Sequence, residues 1–168
     1  MIKDNLLENL HELEKVLELF KLEPIDIYLL GGSACLLGEY TTRATMDYDF
    51  VDLEYPSKYG KVFAMLRDYD MLDYKSTVLS PHYKKRAIKL EQFKLVNVYI
   101  LSKEDILISK IIRLAAKDIE DIEEMIKTCD FKLLNQIIEE VLERDDLYES
   151  KKAEFISKLQ AFREKYYV

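Results

Sequence analysis

Residues 29–51 read LLGGSACLLGEYTTRATMDYDFV. An apolar run from Ile25 to Leu30 leads into Gly31-Gly32-Ser33, a short helix-forming stretch follows to Gly38, and Asp47 and Asp49 then fall two apart in a strand-like run. Alternate residues of a strand point to the same face. The two carboxylates are therefore expected side by side, with Met46, Tyr48 and Phe50 turned into a core. Carboxylates held together repel each other unless a cation sits between them. Mg²⁺ suits that place, because it binds through one or two carboxylates plus substrate phosphates. A Gly-Gly-Ser turn opening a helix can bring backbone N–H groups to those phosphates. Each half is commonplace alone, since glycine serves tight turns, serine caps helices and Asp-x-Asp pairs decorate solvated strands. Their order, with 13 residues between Ser33 and Asp47, points to a metal-dependent nucleotide site.

Outward from that stretch the pattern alternates between helix and strand. Leu6, Leu10, Leu13, Leu17 and Phe20 recur at helical spacing within residues 5–21, and Pro24 separates this helix from the strand 25–30. A second strand is expected over about 46–53, then a helix opened by Pro56-Ser57 that buries Val62, Phe63 and Leu66. Residues 71–101 read as strands and turns, including 86–90 and the run LVNVYIL at 95–101. Ser102 is a plausible N-cap, with Asp105 where Glu or Gln completes a capping box. Beyond it the chain reads as helix to its end, with breaks near 127–130 and 145–150. On the helix expected over 103–116, Lys110, Arg113 and Lys117 share one face beside a buried stripe of Leu107, Ile111 and Leu114. Asp118 and Asp121 open the next helix, where acids favour the helix dipole. The fold class expected is α/β (α+β): a small mixed sheet flanked by helices, residues 1–126, with a C-terminal helical annex, 127–168, packed on it. The annex carries stripes Leu133, Leu134, Ile137, Ile138, Val141, Leu142 and Phe155, Ile156, Leu159, Phe162. Packing on the domain's own helices is the default for them, and a dimer or partner contact the alternative.

Composition narrows the classes. The 168 residues are 49% hydrophobic and 34% charged, which describes a globular chain with a real core. A net charge of -7 argues against broad DNA binding. Lys84, Lys85, Arg86 and Lys89 form the densest basic cluster, suited to an RNA backbone or, more commonly, to a solvated strand edge. Cys35 and Cys129 are too far apart in sequence to suggest a metal-binding motif, and Cys35 reads as a small buried hydrophobe. His11 and His82 are isolated and read as surface or packing residues. No apolar run approaches the ~20 residues that span a bilayer. The opening MIKDNLLENL lacks a signal-peptide core, so cytoplasmic residence without membrane association is expected.

The Gly-Ser turn followed at this interval by Asp-x-Asp resembles the DNA polymerase β-like nucleotidyltransferase superfamily. A second run, VYILSKEDILISKIIRLAAKDIEDIEEMI from Val98, resembles the downstream segment of its abortive-infection-type (type IV toxin–antitoxin) branch and uncharacterised relatives. There a strand leads into Ser-x-Glu-Asp (here Ser102, Glu104, Asp105), a helix with lysine (Lys110), and a basic-Asp-x-x-Asp turn (Lys117-Asp118, Asp121). The resemblance implies an enzyme transferring NMP from an NTP to an RNA 3′ end, tRNA-like in some toxins, or to a protein hydroxyl. In that reading Asp47, Asp49, Lys110 and Asp118 are catalytic, with Mg²⁺ on Asp47 and Asp49. Gly31, Gly32, Ser33, Arg43, Thr45, Arg113 and Asp121 bind substrate, and Asp118 and Asp121 orient the lysine or the acceptor. The superfamily pattern asks for a third acid on a later strand, for which Glu91 is the nearest candidate. Implied partners are the NTP, an RNA or protein acceptor, and a cognate antitoxin or a second copy of the chain. The alternative function is a catalytically inactive nucleotide-binding or partner protein of a toxin–antitoxin pair.

Overall fold

The computed structural model describes residues 2–45 and 47–168, so the inward orientation expected of Met46 lies outside the described residues. The chain folds as two compact units, one of residues 1–72 and 87–101, the other of 73–86 and 102–168. The first contains helix α1 (Lys3–Leu19), strand β1 (Ile25–Leu30), helix α2 (Gly31–Leu37), strand β2 (Tyr48–Val51), helix α3 (Gly60–Phe63) and strands β3 (Tyr69–Leu72), β4 (Ile88–Lys89) and β5 (Val96–Ile100). The sheet runs β3-β2-β1-β5-β4. It is mixed: β1 is parallel to β5 and antiparallel to β2, β2 is parallel to β3, and β4 is antiparallel to β5.

Alternation along these strands separates an apolar face from a polar one. Ile25, Ile27 and Leu29 of β1, Tyr48 and Phe50 of β2, and Val96, Val98 and Ile100 of β5 are all buried. Helix α1 contributes Leu6, Leu10, Leu13 and Leu17 to the core, each fully buried. The Tyr48 hydroxyl donates to the Leu6 carbonyl at 2.9 Å, a bond that ties β2 to α1. The helix ends where Lys21 turns left-handed at φ 53°, ahead of Pro24. On the opposite face the register sets Asp49 across from Leu30 and beside Asp70. Tyr28 and Tyr99 stack there as well, with ring centroids 4.5 Å apart.

The second unit holds helices α4 (Tyr83–Arg86), α5 (Lys103–Lys110), α6 (Ala116–Met125), α7 (Phe131–Leu142) and α8 (Glu149–Tyr166). Ser102 caps α5, its Oγ accepting from the Asp105 amide at 3.0 Å and donating to Asp105 Oδ2 at 2.6 Å. Asp105 is fully buried, and Arg86 closes on it through Nε (2.8 Å) and Nη2 (2.9 Å). The third arm of Arg86, Nη1, meets Glu140 of α7 at 3.1 Å. Arg144 is also buried. It donates to the carbonyls of Thr77 and Leu79 at 2.9 Å and of Tyr74 at 3.0 Å, in effect bolting the 74–79 turn to the end of α7.

Several boundaries differ from the sequence reading. Arg86 ends a helix, and only Ile88 and Lys89 of the expected strand 86–90 join the sheet. The guanidinium of Arg86 is engaged by buried Asp105 and part-buried Glu140, so Arg86 does not belong to an open basic cluster. Helix α5 stops at Lys110, where the expected helix continued to 116, and a turn follows in which Leu114 has φ 48°. The annex stripes are buried at Leu134, Ile137, Ile138, Val141, Phe155, Leu159 and Phe162, but Ile156 is 51% exposed. No helix among the described residues is long and apolar enough to cross a membrane.

Candidate functional site

In the first unit the end of β1, the start of α2 and the paired strands β2 and β3 bring together residues far apart in sequence. Asp47 and Asp49 do lie together, and Asp70 joins them: one carboxylate oxygen of each lies within 4.8 Å of the others. Asp47 and Asp49 are half-buried and Asp70 is exposed. Three anionic groups this close repel strongly in a partly dehydrated setting, and a hard divalent cation is the natural counter-charge.

The glycine turn abuts the acids. Gly31 adopts φ +72°, and a Cβ built there would collide with the Asp49 carboxylate. The missing side chain therefore permits both the backbone conformation and the close approach. A Cβ on Gly32 would stand 2.8 Å from Thr45 Oγ1 and 3.2 Å from Arg43 Nη2, so the loop before β2 lies against the same turn. Ser33 is fully buried, and its Oγ has no hydrogen-bond partner among the described residues. An orphaned buried hydroxyl costs on the order of 1–3 kcal/mol, which argues for a ligand acceptor at this point. Gly31, Gly32, Ser33, Arg43, Thr45, Asp47 and Asp49 thus share one corner of the first unit.

Glu91 does not share it. This glutamate is exposed in the turn after β4, which lies at the opposite edge of the sheet from β3. The acid beside the pair is Asp70. A sequence signal for it existed: Asp-Tyr-Asp occurs at 47–49 and again at 68–70, each followed by two apolar residues. The two copies pair in parallel, Tyr48 with Tyr69 and Asp49 with Asp70.

The second unit holds the other predicted residues in a network of its own. Lys110, only 2% exposed, has its ammonium 3.3 Å from Asp118 and 3.2 Å from Asp121, both buried. Arg113 reaches the same Asp118 oxygen at 2.9 Å with its side chain half-exposed. The second Asp118 oxygen accepts from the Ala115 amide at 3.2 Å, which closes the turn into α6. Lys110, Arg113 and Lys117 therefore do not share one helix face, because α5 ends at Lys110 and the helical spacing is lost.

Neither cysteine is built as a nucleophile. Cys35 is fully buried, and burial, with Glu104 nearby, pushes the Cys129 thiol up to about 12.

The family model described as "Nucleotidyltransferase of unknown function (DUF6036)" matches residues 5–167. The chain belongs to that family. Membership in this nucleotidyltransferase family fits the glycine turn and paired acids of the first unit, and the match extends through the C-terminal helices. No curated protein and no solved structure matches the chain.

Proposed function

We propose that the corner formed by Gly31–Ser33 and the three aspartates binds a nucleoside triphosphate with Mg²⁺ and transfers its nucleoside monophosphate to an acceptor hydroxyl. The observation that carries this is the convergence of Asp47, Asp49 and Asp70 on the glycine turn that leaves Ser33 Oγ unpaired. These residues fit the ion: an all-oxygen donor set of carboxylates, open on one side through exposed Asp70, is what Mg²⁺ takes together with phosphate oxygens. Asp47, Asp49 and Asp70 would hold it. When bound it neutralises charge on the phosphates and lowers the pKa of an oxygen it touches.

The chain's own groups supply the rest. Gly31 and Gly32 let Asp49, Thr45 and Arg43 close on the turn, and Ser33 Oγ offers a phosphate a hydroxyl. Arg43 is a cation beside that turn, suited to charge growing on the leaving pyrophosphate. The acceptor oxygen bonds to the α-phosphorus as the bond from that phosphorus to the α–β bridging oxygen breaks. Pyrophosphate departs, and the acceptor proton passes to a carboxylate or to water. In the second unit Lys110 pairs with Asp118 and Asp121, the residues to which the resemblance gives the lysine and its orienting acids. The Ser102–Asp121 run supports placing the chain beside the abortive-infection-type branch, where growth arrest on expression, relieved by a neighbouring gene, is the expected behaviour.

The test is to incubate purified protein with each α-labelled NTP, Mg²⁺ and total RNA, then separate RNA from protein. Label on RNA identifies an RNA acceptor, and label on protein a side-chain hydroxyl. No label on either, with nucleotide still bound, refutes transfer and leaves the inactive nucleotide-binding protein.

A further inference from the structure

The loop from Gly38 to Thr45 connects α2 to the acids, and Tyr40 fastens it. The Tyr40 hydroxyl donates to the carbonyl of Leu101 at 3.0 Å. Leu101 is paired in turn with the end of β1, its amide donating to the Leu29 carbonyl at 3.0 Å. The anchor is thus the strand end from which the glycine turn springs. The Tyr40 ring lies so close to Gly38 that a Cβ there would stand 2.8 Å from Cζ. The Tyr40 amide donates to the Cys35 carbonyl at 2.8 Å, which fixes the residue to the last turn of α2. Downstream, Thr41 and Thr45 are buried, and Arg43 and Thr45 lie against Gly32. A further tie of this loop, Lys3 to Glu39 at 2.8 Å, is exposed and contributes little.

We infer that Tyr40 is a positioning residue for the phosphate site: its bond to the Leu101 carbonyl holds the loop so that Arg43 and Thr45 face a phosphate seated on the Gly31–Ser33 turn. This rests on the nucleotide-binding reading given above. Tyr40 acts through Arg43, by sparing the ligand the cost of ordering the loop that carries that cation. A change at Tyr40 should therefore alter phosphate-tail affinity and leave the metal-binding acids as they were.

The experiment compares wild type, Tyr40→Phe, Arg43→Ala and the double variant. Four quantities are read in each: melting temperature, Mn²⁺ affinity by electron paramagnetic resonance, and Mg²⁺-dependent affinity for ATP and for AMP by calorimetry. Tyr40→Phe removes the hydroxyl alone and keeps the ring on Gly38. It should lower ATP affinity roughly two- to tenfold, the worth of one hydrogen bond, with Mn²⁺ affinity unchanged and AMP affected less. The double variant should lose no more than Arg43→Ala alone, since the two residues act in series. Unchanged ATP affinity in Tyr40→Phe, additive losses, or a parallel fall in Mn²⁺ affinity would each overturn the inference while the nucleotide site stands. Wild-type protein that binds Mn²⁺ but no nucleotide would overturn the site reading itself, and this inference with it.

Discussion

Asp70 is the residue that most alters the picture of the site. It adds a third carboxylate to the Asp47–Asp49 pair, from a strand that pairs directly with the Asp-x-Asp strand. Asp70→Asn should weaken Mn²⁺ binding at least tenfold and leave the fold intact or slightly more stable, because it removes one of three repelling charges. Glu91→Gln should change neither. Equal Mn²⁺ affinity in both variants, measured by electron paramagnetic resonance, would remove Asp70 from the site. Tyr48 makes a second residue-scale prediction. Burial pushes its phenol up to about 12, above the ~10 of a free tyrosine. The neutral phenol therefore stabilises the fold fully below pH ~10, and that contribution disappears as pH rises through the folded value. Burial raises Tyr28, Tyr74 and Tyr166 in the same direction, so an alkaline unfolding limb is expected. Tyr48→Phe should cost about 1 kcal/mol at neutral pH through the lost bond to Leu6 and should shift the alkaline limb upward. Circular dichroism against pH reads both effects.

Elements in the second unit are joined by buried ions, a costly device unless every charge is paired. Lys110 at the end of α5 lies between Asp118 and Asp121 of α6. Lys110→Met would remove the ammonium that lies between these two buried carboxylates. Removing one partner of a buried pair costs about 3–5 kcal/mol. A fall of that size in urea unfolding is expected for Lys110→Met, partly recovered by adding Asp121→Asn. A melting curve like that of the wild type would show the network to be energetically idle. The Arg86 guanidinium, chelated by Asp105 and also bound to Glu140, follows the same logic between α4, α5 and α7. It also explains why a run of four basic residues leaves fewer than four free cations.

For the whole molecule, the C-terminal helices are part of the fold. Seven apolar side chains of α7 and α8 named above are buried, and Glu140 and Arg144 hold the 74–86 segment from within the same unit. Truncation after Lys127 would remove all of these. It should yield insoluble protein or a molten species that binds 1-anilinonaphthalene-8-sulfonate, read by fluorescence and size-exclusion chromatography. A soluble fragment with a sharp melting transition would show α7 and α8 to be dispensable.

The sequence by itself determined the local structure around the site. Glycine's tolerance of positive φ, the two-residue alternation of Asp47 and Asp49, the leucine stripe of α1 and the Ser102 cap are properties of neighbouring residues, so they could be read in order. The nucleotidyltransferase resemblance rested on these short-range patterns, and the family match agrees with it. Partnership across the sheet was decided by tertiary structure alone. Asp70 and Glu91 are both acids downstream of the motif; the repeated Asp-Tyr-Asp marks Asp70, but repetition does not say which strand will lie beside β2. Only the order β3-β2-β1-β5-β4 places the one with the acids and the other across the sheet. The same holds for the surroundings of Lys110, which helical spacing set on one face with Arg113 and Lys117, and of Arg86, which read as part of a basic cluster. Long-range pairing with buried aspartates drew both residues inward, because a buried carboxylate requires a cation whatever the periodicity of the chain that supplies it.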